Sequence, residues 1–204
     1  MARKEKRKQF QIHIGGSQRS GKTLLARALE NELSTRGFNP VVIDIDCTRV
    51  SIFGLDEPYD SPGFKAAEKQ NRQATAYRVA YLRVDDVLTA GGTPIMTATH
   101  SRLESYEQAL ALAQAHGTIL RFILLEPVSM EEFLRRAQQD VTSSSDMRGD
   151  LQENHQVQRV FVDTTRRFMD SYSSSFMNVP HLWIKQEDPG AMAARAIQYV
   201  LRGA

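Results

Sequence analysis

The stretch GGSQRSGKT, residues 15–23, decides how the rest of the chain is read. It follows the alternating run QFQIHI (9–14) and leads into TLLARALENELSTRG, whose apolar positions recur at helical spacing up to Gly37. A strand, a glycine turn and a helix therefore meet here. Gly16, Gly21, Lys22 and Thr23 fit the pattern G-x-x-x-x-G-K-[ST]. Glycines let backbone N–H groups turn inward around anionic oxygens, and the start of a helix adds partial positive charge. Gly16, Ser17, Gln18, Arg19, Ser20, Gly21, Lys22 and Thr23 thus form a candidate cradle for the phosphates of a nucleotide. Lys22 would reach the outer phosphates, and the Thr23 hydroxyl would ligate Mg²⁺. The motif leaves the receiver of the γ-phosphoryl group open: water, a small molecule or a nucleic-acid end.

Beyond this loop, strands and helices alternate. PVVIDI reads as a second strand, residues 50–64 as a loop, and 65–92 as a long helix. TPIMTAT is a third strand, followed by the helix RLESYEQALALAQAHG and a fourth strand, TILRFILL. SMEEFLRRAQQD opens on Ser129 with Glu132 three residues on, a capping-box pattern. A polar loop, VTSSSDMRGD, precedes the helix QVQRVFVDTTRRFMDSY, the short strand HLWI and a final helix with proline near its start. Continuously apolar strands separated by helices predict an α/β fold, a five-stranded parallel sheet covered on both faces.

Composition sets the outer bounds. The 204 residues fit one large domain, and 41% hydrophobic with 25% charged residues is ordinary for a globular chain. One cysteine, Cys47, excludes an internal disulfide. No apolar run is long enough to span a bilayer, so no membrane partner is expected and a cytoplasmic setting is. Five basic residues and one acidic between 3 and 8 give a local net charge of +4, leaving −2 for the rest of a chain whose total is +2. Residues 1–8 read as a basic flexible tail and 9–204 as a single domain. The tail is the one feature that favours a nucleic-acid partner, and the acidic body argues against a broad surface for one.

The second strand ends in VVIDIDCTR, residues 41–49. At the carboxyl edge of a parallel sheet, next to the phosphate loop, Asp44 and Asp46 would lie on one strand face. A carboxylate there can take a proton from an attacking hydroxyl or support a metal ion. Equally, Asp46 can cap the next turn and pair with Arg49.

A phosphate loop followed by Asp46-x-x-Arg49 resembles the small P-loop kinases that include adenylylsulfate kinase and polynucleotide 5′-hydroxyl kinase. The resemblance implies a three-layer α/β/α P-loop NTPase fold and phosphoryl transfer from ATP, with Mg²⁺, to a hydroxyl acceptor. It implies Asp46 as general base and Arg49 as an acceptor contact. A small-molecule acceptor (nucleoside, nucleotide, sugar or antibiotic) is the first reading. A polynucleotide 5′-hydroxyl and an ATP-binding regulatory module with little catalysis are the alternatives.

Two departures from the family pattern matter. Many such kinases end the third strand with Asp-x-Thr-Asn, whereas this chain has Thr97-Ala98-Thr99-His100. The acid that helps organise Mg²⁺ is missing: either another carboxylate, with Asp44 the nearest candidate, supports the metal, or metal-dependent transfer is weak. Thr99, His100 and Arg102 stay as candidate substrate contacts at that edge. The lid, about residues 140–152, also lacks the expected arginine pattern. Arg148 and Arg136 are the candidates to cover the transferring phosphoryl group, and one of the adjacent Arg135 and Arg136 must face elsewhere.

Overall fold

The computed structural model describes residues 8–54, 66–100, 103–143, 155–171 and 179–202. Five strands form one parallel sheet: β1 (Phe10–Gly16), β2 (Pro40–Asp44), β3 (Thr93–Thr97), β4 (Ile119–Leu125) and β5 (His181–Ile184), in the order β2-β3-β1-β4-β5. The expected five-stranded parallel α/β sheet is present. β1 is central, with Ile14 beside Thr97 on one side and Ile123 on the other. The carboxyl ends of β1, β2 and β3 therefore lie side by side, with Asp44 in register with Thr97.

Strand β1 explains the layering. Its alternating side chains would suit a sheet with one wet face, yet all seven residues are buried. Phe10, Ile12 and Ile14 pack with Leu25, Leu29 and Leu33 of α1 (Lys22–Thr35) and Ala196 and Val200 of α7 (Pro189–Leu201). On the opposite face, Ala80, Tyr81 and Val84 of α3 (Ala66–Thr89) and Ala109 of α4 (Leu103–His116) pack with Met96 and Phe122. Gln11 and His13 are buried among them: the Gln11 amide donates to the Ala109 carbonyl at 3.0 Å and meets His13 Nε2 at 2.8 Å. Burying each large apolar side chain contributes ~1.5–3 kcal/mol, which offsets the cost of ordering the layers.

Two further helices pack on each other, the first of them reaching the phosphate loop through Arg136. Phe133 of α5 (Met130–Ser143) meets Phe161 of α6 (His155–Ser171) with ring centroids 4.7 Å apart. Ser129 starts α5 as its sequence suggested, its hydroxyl accepting from the Glu132 amide at 3.1 Å.

One boundary differs from expectation. Residues 45–53 form a helix, α2 (Ile45–Phe53), where the sequence suggested a strand end and then a loop from 50. Asp44 is its N-cap: the carboxylate accepts from the amides of Asp46 at 2.8 Å and Cys47 at 3.1 Å. Two satisfied first-turn donors are sufficient reason for the chain to turn there.

Candidate functional site

The phosphate loop is built by sterics first. A Cβ on Gly16 would stand 2.5 Å from Ser20 Oγ and 3.2 Å from Leu125 Cβ, so a side chain there would push the loop off β4. Gly21, at φ 92, precedes α1 without providing a side-chain cap. The first-turn N–H groups of α1 are left to an anion, the arrangement that helix starts offer to phosphate. Ser17 and Ser20 are buried, and their hydroxyls meet no protein partner. Gln18 and Arg19 are half-buried at the bend, with Arg19 in the left-handed region at φ 56.

Lys22 folds back over this loop. Its ammonium donates to the carbonyls of Gly16 at 3.1 Å and Ser17 at 2.6 Å. Burial pulls its pKa down to about 8, against the opposing charges of Asp46 and Asp44. Both carboxylates therefore act on the lysine that the motif assigns to phosphate.

Asp44 joins three elements. While its Oδ1 caps α2, its Oδ2 accepts from Thr23 Oγ1 at 3.0 Å and from Thr97 Oγ1 at 2.8 Å. A carboxylate and a loop threonine side by side beneath the phosphate cradle is a donor set that suits Mg²⁺. That ion usually takes one or two protein oxygens and completes its octahedron with phosphates and water. Among the described residues there is no group of three or more His, Cys, Asp or Glu able to hold a metal by themselves. The missing acid after β3 thus has a counterpart one strand away, with Thr97 bonded to it.

Asp46 does not share a strand face with Asp44, which corrects that expectation. The strand ends at Asp44, and Asp46 occupies the first turn of α2. Its side chain is 66% exposed and pairs with Arg49 Nη1 at 2.9 Å, while Arg49 is 16% exposed. The carboxylate is open to an incoming hydroxyl and the guanidinium is held under it.

At the end of β3, His100 departs from a loop residue facing an acceptor. It is fully buried, at φ 48, with its Cβ 3.4 Å from where a Cβ on Gly15 would lie. Its ring stands 5.1 Å from His13 and 5.7 Å from Phe122, and no hydrogen bond of ordinary geometry reaches either nitrogen. Burial and the Lys22 charge press its pKa down to about 3, with the Met96 backbone acting weakly the other way. His13 is likewise lowered by burial and by His100. Thr99, just before His100, is half-buried at the same edge. Arg102, Arg148 and most of the expected lid lie outside the described residues.

The adjacent arginines of α5 divide as helical geometry requires. Arg135 is on the solvent side, bidentate to Glu132 with both contacts at 2.6 Å. Arg136 turns to the phosphate loop: Nε donates to Glu132 at 2.6 Å and Nη1 to the Arg19 carbonyl at 2.7 Å. Hydrogen bonds from both arginines hold the Glu132 carboxyl down to about 2. Gln186 was not among the candidate site residues, although the KQEDP segment (185–189) after the last strand is placed beside the adenine by analogy of fold. Its amide donates to the carbonyls of Ser20 at 3.1 Å and Glu126 at 2.6 Å.

With this geometry in hand, the comparisons with known proteins are specific about the family. A family model described as "AAA domain" matches residues 12–164. No curated protein sequence matches the chain. Among solved structures, Kti12 of Chaetomium thermophilum in complex with ADP-AlF3 is similar at TM-score 0.62 and 16% identity, over 93% of this chain and 98% of that one. A gluconokinase from Sinorhizobium meliloti 1021 is similar at TM-score 0.57 and 10% identity, covering 94% and 91%. The Mycobacterium tuberculosis APS kinase CysC, in complex with AMPPNP and APS, gives 0.53 and 16%, covering 94% and 97%. The chain belongs to this AAA-domain family, and its fold is that of the P-loop kinases.

Proposed function

We propose that the protein is an ATP-dependent phosphotransferase that moves the γ-phosphoryl group to a hydroxyl of a small molecule. The observation that carries this reading is the Asp44 carboxylate, bonded to both Thr23 and Thr97 at the mouth of the phosphate loop. That triad would supply a metal-organising acid in a chain whose β3 ends without one. The kinases it resembles in fold act on small hydroxyl compounds in two of the cases above, gluconate and APS by their names.

The steps follow from the residues. The loop amides and the start of α1 hold the β- and γ-phosphates, and Lys22 leaves the Gly16 and Ser17 carbonyls to neutralise their oxygens. Mg²⁺ bound at Thr23 and Asp44 would supply charge neutralisation on the same oxygens. Asp46 accepts the acceptor's hydroxyl proton. The freed oxygen forms a bond to the γ-phosphorus, the bond to the bridging oxygen breaks, and ADP leaves with that electron pair. Arg49 holds Asp46 through its ion pair and is the candidate contact for the acceptor.

Incubating the protein with γ-labelled ATP, Mg²⁺ and pooled nucleosides, sugars, antibiotics and a 5′-hydroxyl oligonucleotide tests this. Label on a small acceptor supports the reading, and label on the oligonucleotide alone replaces it with polynucleotide kinase activity. ATP binding without transfer to any acceptor overturns it in favour of a nucleotide-binding regulatory module.

A further inference from the structure

The phosphate loop is gripped from behind as well as lined in front. Two of its consecutive carbonyls are occupied by side chains from distant parts of the chain. The Arg19 carbonyl accepts from Arg136 of α5 at 2.7 Å, and the Ser20 carbonyl accepts from Gln186 after β5 at 3.1 Å. Both protons of the Gln186 amide are used, the second on the Glu126 carbonyl just past β4 at 2.6 Å. Its oxygen lies 3.5 Å from Arg136 Nη2, so the two side chains also touch.

This matters at Arg19, because a non-glycine residue at φ 56 sits in a sparsely populated region that the surroundings must hold. Here α5 holds it twice: through Arg136 on its carbonyl, and through Phe133, whose ring lies 5.2 Å from the Arg19 guanidinium carbon. Fixing a carbonyl fixes its whole peptide plane: the Ser20 N–H bonds the Ser17 carbonyl at 3.4 Å within the loop, and the Gly21 N–H is set opposite the Ser20 carbonyl, the orientation an anion needs. Arg136 is itself fixed by Glu132.

We infer that Gln186 and Arg136 are positioning residues that preorganise the phosphate loop for a polyphosphate, acting on its backbone rather than on the nucleotide base. This rests on the nucleotide-binding reading above and adds to it a source for the loop's shape. A loop held in its binding form before the ligand arrives loses less entropy on binding. Gln186 is the sharper case, since its amide is committed to two carbonyls.

The test uses the full-length protein with ATP and with inorganic tripolyphosphate, which has the phosphates and no base. Gln186→Met keeps the size and removes the donors. Both ligands should bind about tenfold more weakly, by the same factor, when measured by calorimetry on protein shown to be folded by circular dichroism. Arg136→Met should act in the same way, and the double variant should fall short of the product of the two because the residues touch. Weaker ATP binding with unchanged tripolyphosphate binding would make Gln186 a base contact and overturn the inference. Unchanged binding of both with a lowered melting temperature would make it purely structural and overturn it equally. If Gln186→Met does not fold, Arg136→Lys, which keeps one donor and loses the fork, replaces it under the same criteria. Failure of the unaltered protein to bind either ligand would overturn the nucleotide-binding reading itself, a result distinct from these.

Discussion

The Thr23 hydroxyl donates to the Asp44 carboxylate across 3.0 Å, tying the first turn of α1 to the end of β2. The same oxygen receives Thr97 from β3 at 2.8 Å. Three chain segments that share no sequence signal converge on one acid, beside the loop that would hold a nucleotide's phosphates.

Replacing that acid separates metal from cap. Asp44→Asn retains an oxygen that can accept from the α2 amides, so the helix stays capped. ATP should still bind without Mg²⁺, while the gain in affinity and turnover on adding Mg²⁺ is lost, with turnover reduced about 10²–10³-fold. Asp44→Ala should in addition lower stability by ~1 kcal/mol through loss of the cap. A Mg²⁺ titration of each variant, with thermal unfolding alongside, checks both.

Asp46→Asn should cut phosphoryl transfer about 10²–10⁴-fold with ATP affinity near normal. Its ion pair with Arg49 is half on the surface, and such pairs contribute little to stability. A melting temperature close to that of the unaltered protein is therefore expected. A large fall in melting temperature with transfer preserved would make Asp46 a structural residue of α2.

Lys22 gives a pH signature. With its pKa lowered to about 8, the empty site loses the ammonium as pH rises through that value. Anionic phosphates favour the charged form, so ATP should draw a proton in above this pH. Its affinity should then weaken by up to about tenfold per pH unit. Calorimetry in buffers of different ionisation enthalpy reads the proton directly. On stability the sign is opposite: the unfolded chain holds that proton more tightly, so Lys22 disfavours folding below about pH 8, an effect relieved on going higher.

The buried histidines predict acid sensitivity. His100, lowered to about 3, and His13, also lowered, are neutral when folded and would take up protons on unfolding. Their contribution to stability is complete above the ordinary histidine pKa and is lost as pH falls below about 6.5. Each adds a slope of up to ~1.4 kcal/mol per pH unit in that range. His100 is held at φ 48, so His13→Leu is the cleaner variant. It should flatten the acid limb of a stability–pH curve from urea unfolding.

How much of this was legible in the sequence depends on how local the cause was. The phosphate loop could be read because its glycines, lysine and threonine are needed by one short turn of backbone. The strands could be read from their apolar runs. Helix α2 could not, because only Ile45 and Thr48 are buried in it and no apolar stripe marks it. Its signal was the Asp44 cap, which looked like a strand end. Cover on both faces of β1 could be read from the alternation of strands and helices, but the burial of Gln11 and His13 within it could not, because it depends on the neighbours that the fold brings to the central strand. Gln186 and Arg136 act through carbonyls of residues 166 and 117 positions away, a relation that only the folded chain brings about.

The central claim is phosphoryl transfer by a site organised around Asp44 and Asp46. Its most direct test is transfer of label from γ-labelled ATP, with Mg²⁺, to the pooled hydroxyl acceptors, run for the unaltered protein, Asp44→Asn and Asp46→Asn. A labelled small acceptor formed by the unaltered protein, and reduced at least about a hundredfold in both variants, is the predicted result. ATP binding with no labelled acceptor from the unaltered protein, or transfer that survives both substitutions, would contradict it.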